Sequence, residues 1–192
     1  MMGPLEINLD DQCGRHFRYR DLIEVGATWK QNWIDNRPRE PATYEAMTTL
    51  CAEVLDPVYE RFGSVELTYG FVSPELEKRI RKNPNPNTTR DLDQHAGCEL
   101  NRRGKPFCPR LGLAVDFRCP DVGSTIVAAW VVENTSFDRL YFYNDDRPFH
   151  VSIGPQGSGQ ITLMQRSPSG RLMPRRVSKT DFTQMLSAAR PA

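Results

Sequence analysis

His95 and His150 are two of only three histidines in this chain. They sit in Asp93-Gln94-His95-Ala96-Gly97 and Pro148-Phe149-His150-Val151-Ser152. Asp116 lies between them, in the strand-like run Gly112-Leu113-Ala114-Val115-Asp116-Phe117. Two imidazoles and one carboxylate are the usual three protein ligands of a catalytic zinc, whose fourth position is left to water. Asp116 stands in an otherwise apolar run, where a buried carboxylate without a partner is costly. His150 is flanked by Phe149 and Val151, so strand alternation points it away from those core residues.

Cysteines offer a rival set. His95-x-x-Cys98 with Cys108 and Cys119 has the ligand types of a closed structural zinc site, but lacks paired Cys-x-x-Cys knuckles. Cys98 also lies near His95 as a nucleophile would, with no orienting third group evident. The five cysteines (Cys13, Cys51, Cys98, Cys108, Cys119) form an odd set with no tight pairing pattern. They read as buried thiols of a reducing compartment rather than as disulfides.

The elements that must position the trio are readable from pattern. His16 to Gly26 reads as a short strand or turn leading into a helix that stops at the glycine. Pro38 and Pro41 mark a loop. From Ala42 to Phe62, apolar residues recur at three and four, the stripe of an amphipathic helix with Gly63 as its C-cap and Pro57 as a kink. Val65 to Phe71 alternates as a strand. Ser73 then caps a helix that starts at Pro74 and runs through about Arg81, and Asn83 to Asn87 is loop. Leu113 to Cys119 is a strand with Leu113, Val115 and Phe117 on one face and Ala114 and Asp116 on the other. Val122 to Val132 reads as a helix, and Arg139 to Tyr143, Phe149 to Ile153 and Gln160 to Gln165 as strands. Helices first and closely spaced strands later predict an α+β fold with a mainly antiparallel sheet and helices packed on it. On such a sheet Asp116 and His150 occupy neighbouring strands, and His95 arrives from a loop.

Composition narrows the classes. At 192 residues and 39% hydrophobic content the chain can bury a real core. A net charge of +1 gives no global field for nucleic acid or an anionic membrane. Six basic residues from Arg166 to Arg190 face only Asp181, a local excess of +5 that reads as a solvated tail. No apolar run approaches the ~18 residues of a membrane span. The N-terminus has neither a basic n-region nor an apolar h-region, so the expected location is cytoplasmic. Residues 1–154 are expected to form a metal-binding domain and residues 155–192 a basic extension, with an extra strand and helix.

The order of pieces resembles the zinc D-Ala-D-Ala metallopeptidase family. Its nearest branch is that of cell-wall carboxypeptidases and phage endolysins, which shares a fold with the Hedgehog signalling domain. The likeness runs over roughly residues 16 to 154 and rests on Tyr69-Gly70-Phe71-Val72-Ser73-Pro74, Asp93-Gln94-His95, Gly112-Leu113-Ala114-Val115-Asp116-Phe117, Phe137-Asp138-Arg139-Leu140 and Phe149-His150-Val151-Ser152. It implies that His95, Asp116 and His150 hold Zn²⁺, and that the substrate is a short peptidoglycan-like peptide, such as a cell-wall D-Ala-D-Ala or crosslink amide. It also implies release to the cell wall if the chain is of phage origin.

Three departures from the family pattern frame the alternatives. Twenty residues separate His95 from Asp116, more than is usual, and the extra stretch 98–110 reads as a hairpin insert with its turn at Arg103-Gly104-Lys105. Its flanking cysteines are placed to act as neighbouring thiols or metal ligands. Val72 stands where the family places an arginine that stabilises an oxyanion, which leaves Arg102 and Arg103 as replacements. Arg147 and Pro148 stand where the family places its general base, which leaves Asp145 and Asp146, or more remotely Glu133, for that role. The alternatives to a peptidase are a metal-retaining but catalytically silent binding domain on the same fold, and an intracellular hydrolase with a different substrate.

Overall fold

The computed structural model describes residues 7–83, 93–168 and 170–188. The loop expected at Asn83 to Asn87 lies outside them from residue 84 onward, as does most of the N-terminal stretch read for a leader. The chain bends through a bridge between Gln12 and Arg18 into α1 (Tyr19–Ile23), and α2 (Ala27–Asn32) follows Gly26. The long apolar stripe forms α3 (Pro41–Leu50), a π-helical turn (Cys51–Leu55) and α4 (Asp56–Phe62). Pro57 stands in the first turn of α4, directly after a widened turn. It can donate no backbone hydrogen bond and its ring needs room, and the widened turn just before it, where the Asp56 amide reaches back to the Cys51 carbonyl, supplies both. Gly63 ends α4 in the left-handed region.

β1 (Glu66–Tyr69) leads to α5 (Pro74–Ile80), where the Ser73 side chain accepts from the Leu76 amide at 3.2 Å. β2 (Leu113–Arg118), α6 (Ser124–Asn134), β3 (Arg139–Phe142), β4 (Phe149–Ile153), β5 (Gln160–Arg166), β6 (Leu172–Val177) and α7 (Lys179–Ala188) complete the order. The fold is α+β, with a six-stranded sheet ordered β1-β2-β4-β3-β5-β6 among the described residues. The apolar faces of β2 and β4 (Leu113, Val115, Phe117, Phe149, Val151) meet Met47, Leu50 and Val54 of the long helix and Val127, Ala128 and Val131 of α6 in one buried core. Phe182 and Leu186 of α7 belong to the same core.

The sheet is mixed, which corrects the expectation of a mainly antiparallel one: β3 and β5 run parallel. Hydrophobic pattern does not specify this pairing; Asp138 does. Fully buried at the start of β3, its carboxylate accepts from the Ser158 amide at 2.9 Å and the Ser158 hydroxyl at 2.7 Å, while its carbonyl accepts from the Gln160 amide at 2.9 Å. The β4–β5 loop is thus clasped beside β3, and β5 starts along the edge of β3 away from β4. Burial works to raise the Asp138 pKa, but these bonds from Ser158, with Gln94 and Arg139, hold it below the ordinary carboxylate range. Asp138→Ala is expected to cost about 2–4 kcal/mol, because it strands several buried donors at once. A urea midpoint within 0.5 kcal/mol of native (about the scatter of neutral substitutions) would discard the clasp.

The 98–110 insert is a hairpin, as its turn residues suggest. Leu100 bridges Pro106, the Asn101 amide donates to the Lys105 carbonyl at 2.8 Å, and Gly104 takes a φ of +70°. Its base is tied down by Glu99, whose buried carboxylate accepts from the Arg39 and Glu40 amides at 3.1 Å and from the Thr43 hydroxyl at 2.9 Å, at the start of α3. A long spacing between His95 and Asp116 is therefore compatible with their meeting.

Candidate metal centre

Asp116 and His150 face one another across β2 and β4 as a register pair, and Tyr141 pairs with His150 from β3. Alternation turns Phe117 and Phe149 into the core and leaves Asp116 and His150 on the opposite face. His95 is brought to them by a 3₁₀ turn, Gln94–Ala96. Gln94 seats that turn. Its buried amide donates to the Leu111 and Ile153 carbonyls and to Asp138 at 3.0–3.2 Å, and its oxygen accepts from the Ser152 hydroxyl at 2.8 Å. One side chain thus ties the His95 turn to β2, β3 and β4.

The three expected ligands meet. His150 Nδ1 lies 3.0 Å from Asp116 Oδ1 and 3.1 Å from His95 Nε2, and His95 Nε2 lies 3.3 Å from Asp116 Oδ1. Tetrahedral zinc with ligand bonds of about 2.0–2.2 Å sets its donor atoms about 3.3–3.6 Å apart, so this triangle is close to the one such an ion needs. His95 Nδ1 is 2.9 Å from the Gly70 carbonyl, which can only accept. That bond places a proton on Nδ1 and directs Nε2 to the cluster, the usual arrangement of a ligating histidine. Gly70 is required for this contact: a Cβ there would stand 2.2 Å from the Leu22 carbonyl oxygen.

Asp93, His95 and His150 form a group that could hold a metal ion, each offering one ligand atom within 4.8 Å of the others. Two carboxylates, Asp93 and Asp116, therefore flank the same two imidazoles. The direct contacts of Asp116 favour it as ligand. Asp93, not singled out from the sequence, caps the short turn by accepting from the His95 amide at 3.0 Å, and the fold also brings its carboxylate into the metal-capable group.

The other residues picked out in sequence lie elsewhere. Asp145 accepts from the Thr125 amide at 2.8 Å at the start of α6, and Asp146 is exposed in the β3–β4 turn. Glu133 is exposed on α6, and Arg102 and Arg103 are exposed on the insert hairpin. Val72 is buried with Trp29, Leu76 and Ile80 in a small apolar cluster. Cys98, Cys108 and Cys119 are free thiols outside the metal-capable group. Burial raises the pKa of Cys98 and pushes that of Cys119 up to about 11, which disfavours the thiolate that a ligand or nucleophile needs.

Tyrosines wall the cluster. Tyr69 packs edge-on to His95 at 4.7 Å between ring centres, and Tyr141 packs on His150 at 4.9 Å. Tyr143, two residues along the same face, has its phenol pushed up to about 12, by burial first and then by the negative charge of Asp116. The Arg147 guanidinium stacks over the Tyr143 ring at 5.2 Å. Its backbone is pinned, because the Ser124 hydroxyl donates to the Arg147 carbonyl at 2.7 Å.

Without a metal, the cluster holds a proton. Burial works to lower the His95 pKa, but Asp93, Asp116 and the Gly70 carbonyl together raise it to about 9. Burial likewise works to raise the Asp116 pKa, and the two imidazoles reverse this and hold it well below the carboxylate range. A raised histidine pKa stabilises the fold fully below the unfolded value of 6.5, and this contribution is lost as pH rises through about 9. Metal-stripped protein is therefore expected to lose on the order of 2–3 kcal/mol across that interval, with the slope absent in His95→Asn. A urea midpoint that holds level or climbs between those pH values would rule out the charged pair. The low Asp116 pKa acts in the opposite sense, its contribution vanishing only as pH falls below the carboxylate range.

No protein-family model, curated protein or solved structure significantly matches this chain. Among the described residues, no helix is long and apolar enough to cross a membrane.

Proposed function

We propose that the protein is a zinc-dependent peptidase of the D-Ala-D-Ala metallopeptidase type, cleaving a short peptide such as a cell-wall D-Ala-D-Ala or crosslink amide. The observation that carries this reading is the meeting of His95 Nε2, His150 Nδ1 and Asp116 Oδ1 within 3.0–3.3 Å of one another. These residues would hold the ion. Zinc in such a site makes water a nucleophile near neutral pH and polarises a carbonyl.

The chain supplies the rest. Asp93, in the same cluster, is the carboxylate placed to take the proton of the attacking water and return it to the leaving amine. It fills the role that Asp145 and Asp146 were expected to fill. Arg147, held over Tyr143 at the rim, offers its guanidinium to the developing oxyanion in place of the arginine replaced by Val72. Tyr69, Tyr141 and Tyr143 limit water around the reacting atoms.

The test is release of D-Ala from peptidoglycan stem peptides by zinc-loaded protein. Asp93→Asn is expected to lower the rate by about 10²–10⁴-fold with zinc retained, and Arg147→Met by about 10²-fold. A second reading, a metal-retaining but catalytically silent binding domain, is favoured by one observation: the Val72 side chain is committed to an apolar cluster. One equivalent of bound zinc with no D-Ala released would select it.

A further inference from the structure

Cys13 and Cys51 stand 38 residues apart in sequence, yet their sulfurs are 3.4 Å apart inside the core. Both are buried and both are free thiols. The contact is built from two sides. On one side the Cys13 and Gly14 amides both donate to the Phe17 carbonyl, at 3.0 and 3.1 Å, and curl residues 13–17 into a tight bend. On the other, Cys51 begins the π-helical turn that precedes Pro57. Asp56, one turn further on, accepts from the Arg15 and His16 amides at 2.8 and 3.1 Å and draws the bend onto the helix. The approach depends on Gly14, since a Cβ there would lie 2.6 Å from Cys51 Cβ.

We propose that Cys13 and Cys51 are a disulfide site, closed by exchange with a low-molecular-weight disulfide such as oxidised glutathione, which locks the N-terminal bend onto the long helix. The sulfurs must close by about 1.4 Å to reach the bond length of about 2.05 Å, a movement within the reach of side-chain rotation. In the first step the Cys13 thiolate attacks one sulfur of the oxidant, forming a mixed disulfide and releasing one glutathione thiolate. The Cys51 thiolate then attacks the Cys13 sulfur and releases the second. Two protein thiols are oxidised, one disulfide is reduced to two thiols, and the two protons pass to solvent and the departing thiolates. Burial shields the pair in the closed fold, so exchange takes place during folding or when the bend opens. Cys13 is the entry point, because it lies in a bend outside the helices, whereas Cys51 is held within the π-helical turn.

The test is refolding from urea in oxidised glutathione or in dithiothreitol, followed by blocking of free thiols and intact-mass analysis. The oxidised sample is expected to carry three blocked cysteines and a Cys13–Cys51 linked peptide. It should melt roughly 5–10 °C above the reduced one. Cys13→Ser and Cys51→Ala are each expected to remove the linked peptide, and Cys98→Ser to leave it. Five blocked cysteines after oxidative refolding, or a bond mapped to another pair, would overturn the proposal.

Discussion

Replacing His150 with alanine is expected to lower zinc affinity by about 10²–10⁴-fold. Zinc sites of this size are worth on the order of 10–16 kcal/mol at neutral pH, and one of three protein ligands carries roughly 3–5 kcal/mol of that, at about 1.4 kcal/mol per tenfold. His150 places its Nδ1 within the cluster, 3.0 Å from Asp116 Oδ1 and 3.1 Å from His95 Nε2, the other two proposed ligands. His150→Ala should leave the core intact, because the side chain lies opposite Phe149 and Val151. His16→Ala is the control: His16 stacks on Tyr59 and pairs with Glu60, away from the cluster. Competition with a chelator of known affinity reads the difference. Equal zinc retention in native protein and His150→Ala would remove the metal centre, and with it the proposed peptidase.

Gly70→Ala is expected to weaken the fold and the metal site together. Its Cβ would lie 2.2 Å from the Leu22 carbonyl oxygen and 2.7 Å from Val25 Cγ1. The first is backbone, held by its bond from the Phe71 amide at 2.8 Å, and cannot swing aside. A cost of about 3 kcal/mol or more follows, seen as a fall of roughly 6–12 °C in Tm. The Gly70 carbonyl must also shift from His95 Nδ1, and loss of such a supporting bond lowers metal affinity about 10–100-fold. Gly104→Ala separates the two effects. Nothing lies within 4 Å of a Cβ there, so it should cost only about 1 kcal/mol, from its left-handed backbone, and leave zinc affinity unchanged. Native zinc affinity in folded Gly70→Ala would show that the carbonyl does not orient His95.

What could be read from sequence was local or periodic. The helix over Ala42 to Phe62, the Ser73-Pro74 start of α5 and the hairpin at Arg103-Gly104-Lys105 each carry their own signal in neighbouring residues. Strand alternation also put Asp116 and His150 on faces opposite the core, and the structure brings both to His95. What could not be read depends on contacts remote in sequence. The parallel pairing of β3 with β5 is decided by one buried carboxylate, Asp138, twenty residues from the Ser158 that it clasps. Asp145 stands near His150 in sequence, but the start of α6 draws its carboxylate away. Asp93 and Gln94 carry no distinguishing signal beside His95; only the folded sheet makes one a member of the metal-capable group and the other a tie between strands. The Cys13–Cys51 contact has no sequence signal, since the two stand 38 positions apart with three helices between them.

The clasp by Asp138 bears on which strand forms the open edge of the sheet. β5 covers the flank of β3 that faces away from β4, and β6, with Pro174 and two arginines, covers β5 in turn. Without the segment after Gly154, β3 would be the edge strand beside β4 and would present an open row of amides and carbonyls, a template for pairing with another chain. The outer strand blunts that hazard with a proline that cannot donate and with like charges that repel a second copy. The basic tail, which reads in sequence as a solvated appendage, is in this sense the guard on the sheet that carries the candidate metal site.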